Sequence, residues 1–480
     1  MKTYLIKYCF PIFLLLCCSN TYAIEPLFYK TGAADLSVAV GAQKEKNFLV
    51  TLNSELIQTA KVGTELLVYL SKDKEVLLKI NEIKHKNNGT VWKCSISQEY
   101  GRGNALFFIK GQTLAGNILL NGIQYTITSI ALNNIYEIIN SENKKKPTKS
   151  KDFLLPPKIK GRNLEMSYAT PEATGPTTID LLILYTQGMA DKYTGDKLDS
   201  YLNMLVELAN QAYEDSGIDL TLRIVGKVKV NSPDDSSPDE VLEALTNAEG
   251  VFSNVPDLRD QFGADLVTLI RTLKIPDNKE VYCGYAWLLG SFDYPQGPNA
   301  YSVISVGEAD GYICDNYVLV HELGHNLGCA HDKEHSSAKG IFDYSYGYGI
   351  EGEFGTIMSY YFPTWGYFSN PNITHDGYVL GIENEADNAQ TIRQTKDFVA
   401  NYRNSVVENI KNNLGDVSGD GKINIVDALM VARLAVGLPV TNCDSNTADV
   451  NCDGKVAILD ALLIARKSVG LDVPSWCSVK

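Results

Sequence analysis

Residues 321–332, HELGHNLGCAHD, set the tightest constraint in the chain, because three of its six histidines fall within eleven residues beside a single glutamate. His321 and His325 are four positions apart, a spacing that puts both imidazoles on one face of an α-helix, within reach of a single cation. Glu322 follows the first histidine, so its carboxylate can reach a water at that cation without being a ligand. Gly328 tolerates the left-handed conformation that ends such a helix. The chain can then reverse and bring His331 back as a third ligand. Three imidazoles and one open position describe a catalytic rather than a structural zinc site. A chance pair of helix-surface histidines would need neither Gly328 nor His331 at these spacings. His335 lies four beyond His331, but no helix start precedes it, and it reads as solvated.

The rest of the chain frames this segment. A length of 480 residues implies two to four folding units. The net charge of -14 argues against nucleic acid as a partner. Residues 1–23 have the form of a secretory signal: Lys2 and Lys7, an apolar run at 10–18, and Thr21-Tyr22-Ala23 before the expected cut. Lipoprotein processing at Cys17 or Cys18 is the alternative, and the bulky Leu16 disfavours it. No later run reaches the roughly 18 apolar residues of a membrane span, so a secreted, extracellular mature protein is expected.

Ten cysteines are present, and three of them leave with the signal. The remaining Cys94, Cys283, Cys314, Cys329, Cys443, Cys452 and Cys477 are odd in number, so one thiol lacks a partner within the chain. Cys314 and Cys329 bracket the histidine helix; if it runs over about 316–327 they are too far apart to bridge, and Cys283 pairs with one of them.

Residues 24–142 alternate β-type runs such as NFLVTLN, TELLVYL and YTITSIAL with Gly and Asn turns, and read as a β-rich domain. Residues 143–163, NKKKPTKSKDFLLPPKIKGRN, are basic, proline-rich and aperiodic, which marks 143–176 as a linker and processing region. Such a linker in an exported chain suggests a zymogen whose propeptide is the β-rich head; a permanent accessory domain is the alternative. From 177 to 409 the pattern is α/β: a strand at IDLLILYT, a long amphipathic helix near 197–215, strands at LTLRIVGKVKV, DLVTLI and AYSVISV, the histidine helix, and a closing helix near 384–408.

Residues 410–480 hold an internal repeat. GDVSGDGKINIVDALMVARLAVGL at 415–438 recurs 33 residues later as ADVNCDGKVAILDALLIARKSVGL. Asp416, Ser418, Asp420, the Lys422 carbonyl, Asn424 and Asp427 follow the spacing of a twelve-residue calcium loop, with Gly421 at the sharp turn. Asp449, Asn451, Asp453, Lys455 and Asp460 repeat it, with Ala457 unable to offer a side-chain ligand. Two bound Ca2+ ions are expected.

These motifs resemble two known families. HExxHxxGxxH followed by Asp332 is similar to the zinc-binding consensus of metzincin metalloproteases in its reprolysin (adamalysin) form, including the bacterial peptidyl-Asp type. GTIMSYY resembles that family's Met-turn and places Met358 there. YFSNPNI and NAQTIRQTKDFVANYR add to the likeness, which covers about 177–409. The resemblance implies an α/β metzincin catalytic domain with a mixed twisted sheet and long helices. It also implies one catalytic Zn2+ on His321, His325 and His331, and Glu322 as general base in peptide hydrolysis. Tyr360, two residues past Met358, matches a Tyr found in some metzincins and is a candidate for stabilising the oxyanion; a packed Tyr is the simpler reading.

Substrate, a protein or peptide, would lie extended beside AYSVISV. Cys94, the lone thiol of the unprocessed chain, is a candidate latency residue at the zinc, although VWKCSISQ lacks the usual motif; a buried free cysteine is the alternative. The repeat resembles a type I dockerin, a small all-α calcium-binding module, and implies a cohesin-type partner on a scaffold or cell-surface protein. Loop positions 10 and 11 carry Ile425-Val426 and Ile458-Leu459 rather than Ser-Thr, which points away from a cellulosomal cohesin. A catalytically idle scaffold serving adhesion is the rival reading, and it has no need of Glu322.

Overall fold

The computed structural model describes residues 25–31, 48–86, 88–130, 134–145, 152–155, 175–275, 280–292, 300–406, 414–419, 422–438, 440, 447–451, 453, 455–473 and 476. The expected signal segment, Asp420, Cys443, Cys452 and Cys477 lie outside them.

The N-terminal domain is a ten-stranded sheet: β1 (Glu25–Pro26), β2 (Phe28–Lys30), β3 (Phe48–Leu52), β4 (Glu65–Tyr69), β5 (Glu75–Lys86), β6 (Gly89–Ile96), β7 (Gly103–Lys110), β8 (Thr113–Leu120), β9 (Ile123–Ser129) and β10 (Ile135–Asn140). Its meander from β4 to β10 is antiparallel, while β1 pairs with β4 and β2 with β3. Only Leu27 separates β1 from β2, so this short segment bridges the two ends and nearly closes a barrel. Closure protects the strand edges that an open sheet would expose.

Strand alternation gives this domain two apolar faces. Trp92, Cys94, Ala105, Phe107 and Ile109 enter its own core. Val91, Leu106, Phe108 and Ala115 point the other way, into the core of the next domain. They meet the long helix Asp196–Asp215, whose buried residues include Ser200, Asn203 and Glu207 as well as its apolar stripe. These polar residues recur at helical spacing on the face turned to the N-terminal domain. Thr113 Oγ1 lies 2.7 Å from Ser200 Oγ, Asn88 Nδ2 donates to Asn203 Oδ1 at 2.5 Å, and Lys86 Nζ reaches Glu207 at 2.6 Å. Lys93 pairs with Glu214 at 2.5 Å, and Lys110 with Asp199. Partly exposed pairs of this kind add little each, about 0–1 kcal/mol, but they fix the register of the contact.

The second sheet contains β11 (Phe153–Leu154), β12 (Thr177–Tyr185), β13 (Leu220–Lys229), β14 (Leu266–Thr272), β15 (Gly284–Trp287), β16 (Tyr301–Ala309) and β17 (Tyr312–Cys314). Its order is β11-β15-β16-β14-β12-β13, with β17 hydrogen-bonded to the far end of β16. Neighbours are parallel except for the β15/β16 and β16/β17 pairs. This is the expected mixed sheet with one correction. The AYSVISV strand, β16, is interior, between β15 and β14, and the terminal strand on that side is β11, paired with β15. Sequence could not show this, because the four-residue β15 is too short to reveal a period.

The region read as an open linker is in part built into the fold. Lys145 N donates to Gly311 O at 2.9 Å, Ile313 N to Lys145 O at 3.0 Å, and residues 153–154 form β11. The C-terminal helices Ile425–Ala435 and Ile458–Ser468 enclose a small core of their own that includes Val417, Val431, Val450 and Ile464. No helix among the described residues is long and apolar enough to cross a membrane.

Candidate metal centre

The histidine helix spans Val318–Asn326 and is almost wholly buried. Gly328 follows at φ +92°, and the left-handed turn returns the chain so that His331 faces the helix. His331 Nε2 lies 3.2 Å from His321 Nε2 and 3.1 Å from His325 Nε2. The opposite ring nitrogens are held by carbonyls: His321 Nδ1 at 2.7 Å from Ile357 O and His325 Nδ1 at 2.8 Å from Cys329 O. In these two histidines such bonds fix the tautomer and turn Nε2 towards His331. Three imidazoles with their Nε2 atoms converging on one point are the donor set that zinc prefers, so the residues fit the ion.

Met358 lies beneath the helix. A Cβ on Gly324 would come within 2.5 Å of its Sδ, so the glycine between the two helical histidines is required for this approach. Asp332 explains why an acid follows the third histidine. Its Oδ2 accepts from Tyr360 N at 2.9 Å and Ser359 Oγ at 3.3 Å, tying the end of the histidine motif to the Met358 turn. Its Oδ1 accepts at 2.7 Å from His335 Nδ1, so His335, expected to be solvated, is anchored at the rim.

Glu322 is buried, with Oε2 in no hydrogen bond and Oε1 against Gly284, where an added Cβ would fall within 2.2 Å. Burial, reinforced by the charge of Asp152, pushes its pKa well above the usual carboxylate range. Burial also lowers the His325 pKa to about 4, favouring the neutral ring that a metal needs.

The fourth member of the cluster is a residue that sequence reasoning passed over. Asp152 joins the three histidines in a group whose ligand atoms all lie within 4.8 Å of one another. Its carboxylate is 2.8 Å from His331 Nε2, 3.4 Å from His325 Nε2 and 3.5 Å from His321 Nε2, and it accepts a hydrogen bond from the Tyr360 hydroxyl. Burial alone would push its pKa up, but the histidines outweigh that and hold it well below the carboxylate range. One signal was available: Asp152 is the lone acid in the basic run 143–163, followed by the three apolar residues Phe153, Leu154 and Leu155.

Cys94 lies elsewhere, in the core of the N-terminal sheet, and burial raises its pKa to about 12, away from the thiolate form a metal would bind. Cys283 bonds to Cys314, which settles the choice left open above. Cys329 is free and buried, its Sγ 3.7 Å from Asn388 O at the start of the closing helix Asn388–Val399.

In the C-terminal module, Asp427 Oδ1 accepts from Ser418 N and Oδ2 from Asn424 N, both at 2.8 Å. Asp460 does the same for Val450 N at 3.0 Å and Ala457 N at 2.9 Å. The acid ending each loop therefore folds the loop onto the first turn of its helix. Asp416 Oδ1 accepts from Gly419 N at 3.0 Å; Asp453 N donates to Asn451 Oδ1 at 3.0 Å and Asp449 Oδ1 at 3.2 Å. Lys455 N donates to Asp453 Oδ1 at 2.9 Å, and Asn424 Nδ2 to the Lys422 carbonyl at 3.4 Å.

Residues 175–386 match the model of the metallo-peptidase family M12B, reprolysin-like, and residues 414–467 match the dockerin type I domain. A peptidyl-Asp metalloendopeptidase of Pseudomonas aeruginosa is 29% identical over 261 residues, which are 50% of this chain and 43% of that protein. The chain thus spans less than half the length of that relative. A peptidyl-Asp metalloendopeptidase of Xanthomonas campestris pv. campestris is 24% identical over 408 residues, 80% of this chain and 93% of that protein. Among solved structures, metalloproteinase-II from Bacteroides fragilis aligns at a TM-score of 0.38 and 14% identity, covering 74% of this chain and 96% of that one.

Proposed function

The chain carries a reprolysin-like metallopeptidase domain followed by a dockerin type I domain, and on that premise we propose that it is a secreted zinc endopeptidase acting on proteins or peptides. The observation that carries the reading is the convergence of three imidazole Nε2 atoms beside the buried, unpaired Oε2 of Glu322. One zinc ion held by His321, His325 and His331 would supply Lewis acidity and a lowered pKa for water. Glu322 takes the proton of the attacking water on its carboxylate and returns it to the leaving amine. Tyr360, whose hydroxyl donates to Asp152 in this structure, would donate to the developing oxyanion. After limited proteolysis, the chain should hydrolyse casein, lose that activity to a chelator and regain it with zinc. Cleavage that persists after the metal is stripped overturns the reading.

The dockerin domain gives the enzyme a tether. Two calcium ions on the loops at 416–427 and 449–460 would neutralise acids that otherwise repel one another and allow the two helices to pack. Ile425 and Val426 are 64% and 51% exposed, and Ile458 and Leu459 are 55% and 50% exposed, so both helices present an apolar start to a cohesin-type scaffold or cell-surface partner. Residues 410–480, which have their own core, should gain helical circular dichroism when calcium is added. An unchanged spectrum would remove the calcium assignment.

A further inference from the structure

Beside Glu322 the catalytic domain has an open cavity of about 660 Å³. Its described walls are largely apolar and include Tyr282, Ile313, Val318, Ile357 and Phe362. The charged groups among the described lining residues are His321 and three carboxylates, those of Glu322, Asp152 and Asp315, with no Lys or Arg. Glu322 and Asp152 belong to the metal end, which leaves Asp315 as the charge beyond it. We infer that this cavity receives the side chain of the substrate residue following the cut bond, and that Asp315 selects Lys or Arg there and turns acidic residues away. The inference rests on the peptidase reading. In that reading Glu322 returns a proton to the leaving amine, so the residue supplying the amine lies against Glu322 and its side chain enters the cavity.

Spacing along the chain sets the depth of the charge. Asp315, Val318 and Glu322 stand at i, i+3 and i+7, so they follow one another down one side of the histidine helix, with Asp315 just ahead of its first turn. Seven residues at the helical rise put Asp315 roughly 10 Å from Glu322 along the axis. That span exceeds a leucine side chain and suits the two longest cationic ones. Their methylene stems would lie on the apolar walls with the charged head at Asp315.

Asp315 is held in place from two sides. Its Oδ1 accepts from Tyr317 N at 3.0 Å. Cys314, the residue before it, is bonded to Cys283, the residue before Gly284, and Gly284 abuts the Glu322 carboxylate. The disulfide thus ties the two ends of the cavity to each other. The negative charge is felt among the lining groups: burial, and after it the charges of Asp215 and Asp315, push the Tyr317 pKa well above that of an ordinary phenol. A half-buried carboxylate attracts a cation more strongly than one in open water, and it repels a second carboxylate by the same margin. The relatives described above bear a peptidyl-Asp name, so the preference of this chain should differ from what that name states.

The test uses the full chain after limited proteolysis, loaded with zinc, and peptides that differ at one central residue: Arg, Lys, Leu or Asp. Mass spectrometry locates each cut, and kcat/KM is measured for cleavage just before the varied residue. Arg and Lys should exceed Leu by at least about tenfold and Asp by at least about a hundredfold. The bond to Tyr317 N would by itself account for an acid at 315. Asp315→Asn keeps an oxygen for that bond and loses only the charge, so its Arg-to-Asp ratio should fall at least about tenfold. Leu cleaved as well as Arg, Asp cleaved as well as Leu, or an unchanged ratio in Asp315→Asn overturns the inference. The ranking in the parent decides alone if the variant does not fold. The same peptides are also bound to processed Glu322→Gln chain and followed by fluorescence anisotropy. Tighter binding of the Arg peptide, with no cleavage by the Glu322-bearing chain, would defeat the peptidase reading and leave the selectivity of the cavity standing. Equal binding of the Arg and Asp peptides overturns that selectivity.

Discussion

Replacing Glu322 with Gln should lower kcat/KM on a protein substrate by about two to four orders of magnitude while leaving fold and zinc content unchanged. Glu322 is the only acid on the histidine helix, and its carboxylate stands beside the metal ligands with Oε2 unpaired. Gln keeps the length and shape that fit against Gly284 but cannot accept the proton of the attacking water. At about 1.4 kcal/mol per decade, the loss corresponds to roughly 3–5.5 kcal/mol of transition-state stabilisation. Steady-state kinetics of the processed variant, with zinc measured on the same sample, checks it. A variant that keeps wild-type turnover would deny Glu322 the base role, and one that loses its zinc would show that the substitution damaged the site itself.

The second large effect concerns stability. Removing the Cys283–Cys314 bond, by Ser at both positions or by reduction, should destabilise the catalytic domain by about 3–4 kcal/mol, the loop-closure value for a separation of 31 residues. For a domain of this size that is roughly 6–15 °C in melting temperature. The bond joins the residue before β15 to the end of β17, so it links the two strands on which Lys145 and residues 153–154 lie. Unfolding with and without reductant gives the shift directly. Cys329 should not confuse the experiment, because it is buried and burial drives its pKa well above that of an ordinary thiol. A melting temperature unmoved by reduction would mean that the loop is held by packing alone.

Much of the metal centre was legible because it is local. His321, Glu322 and His325 share a helix, so their relation follows from 3.6 residues per turn, and Gly328 and His331 complete it within one reversal. Met358 was legible only through resemblance, since nothing in its spacing says that Gly324 must receive it. Asp332 identified a subfamily in the sequence, but its work, bonding Tyr360 N and Ser359 Oγ, depends on a loop almost thirty residues away. The place of AYSVISV in the sheet was misread for a comparable reason. A nine-residue β16 declares itself by composition, whereas the order of strands in a sheet depends on contacts between distant segments.

Sequence alone therefore determined what lies together within a few residues: the helix-borne histidines and glutamate, the calcium-loop spacing, and the three-part division of the chain. Only the tertiary structure decided which acid joins the three histidines in one cluster. Cys94 had parity and chemistry in its favour, but a strand that buries alternate residues carried its thiol into the N-terminal core. Asp152 reached the site because the backbone on either side of it hydrogen-bonds to strands more than a hundred residues away in sequence. Helical and loop spacing is fixed within a few residues, while backbone pairing across such a distance is settled only when the whole chain packs.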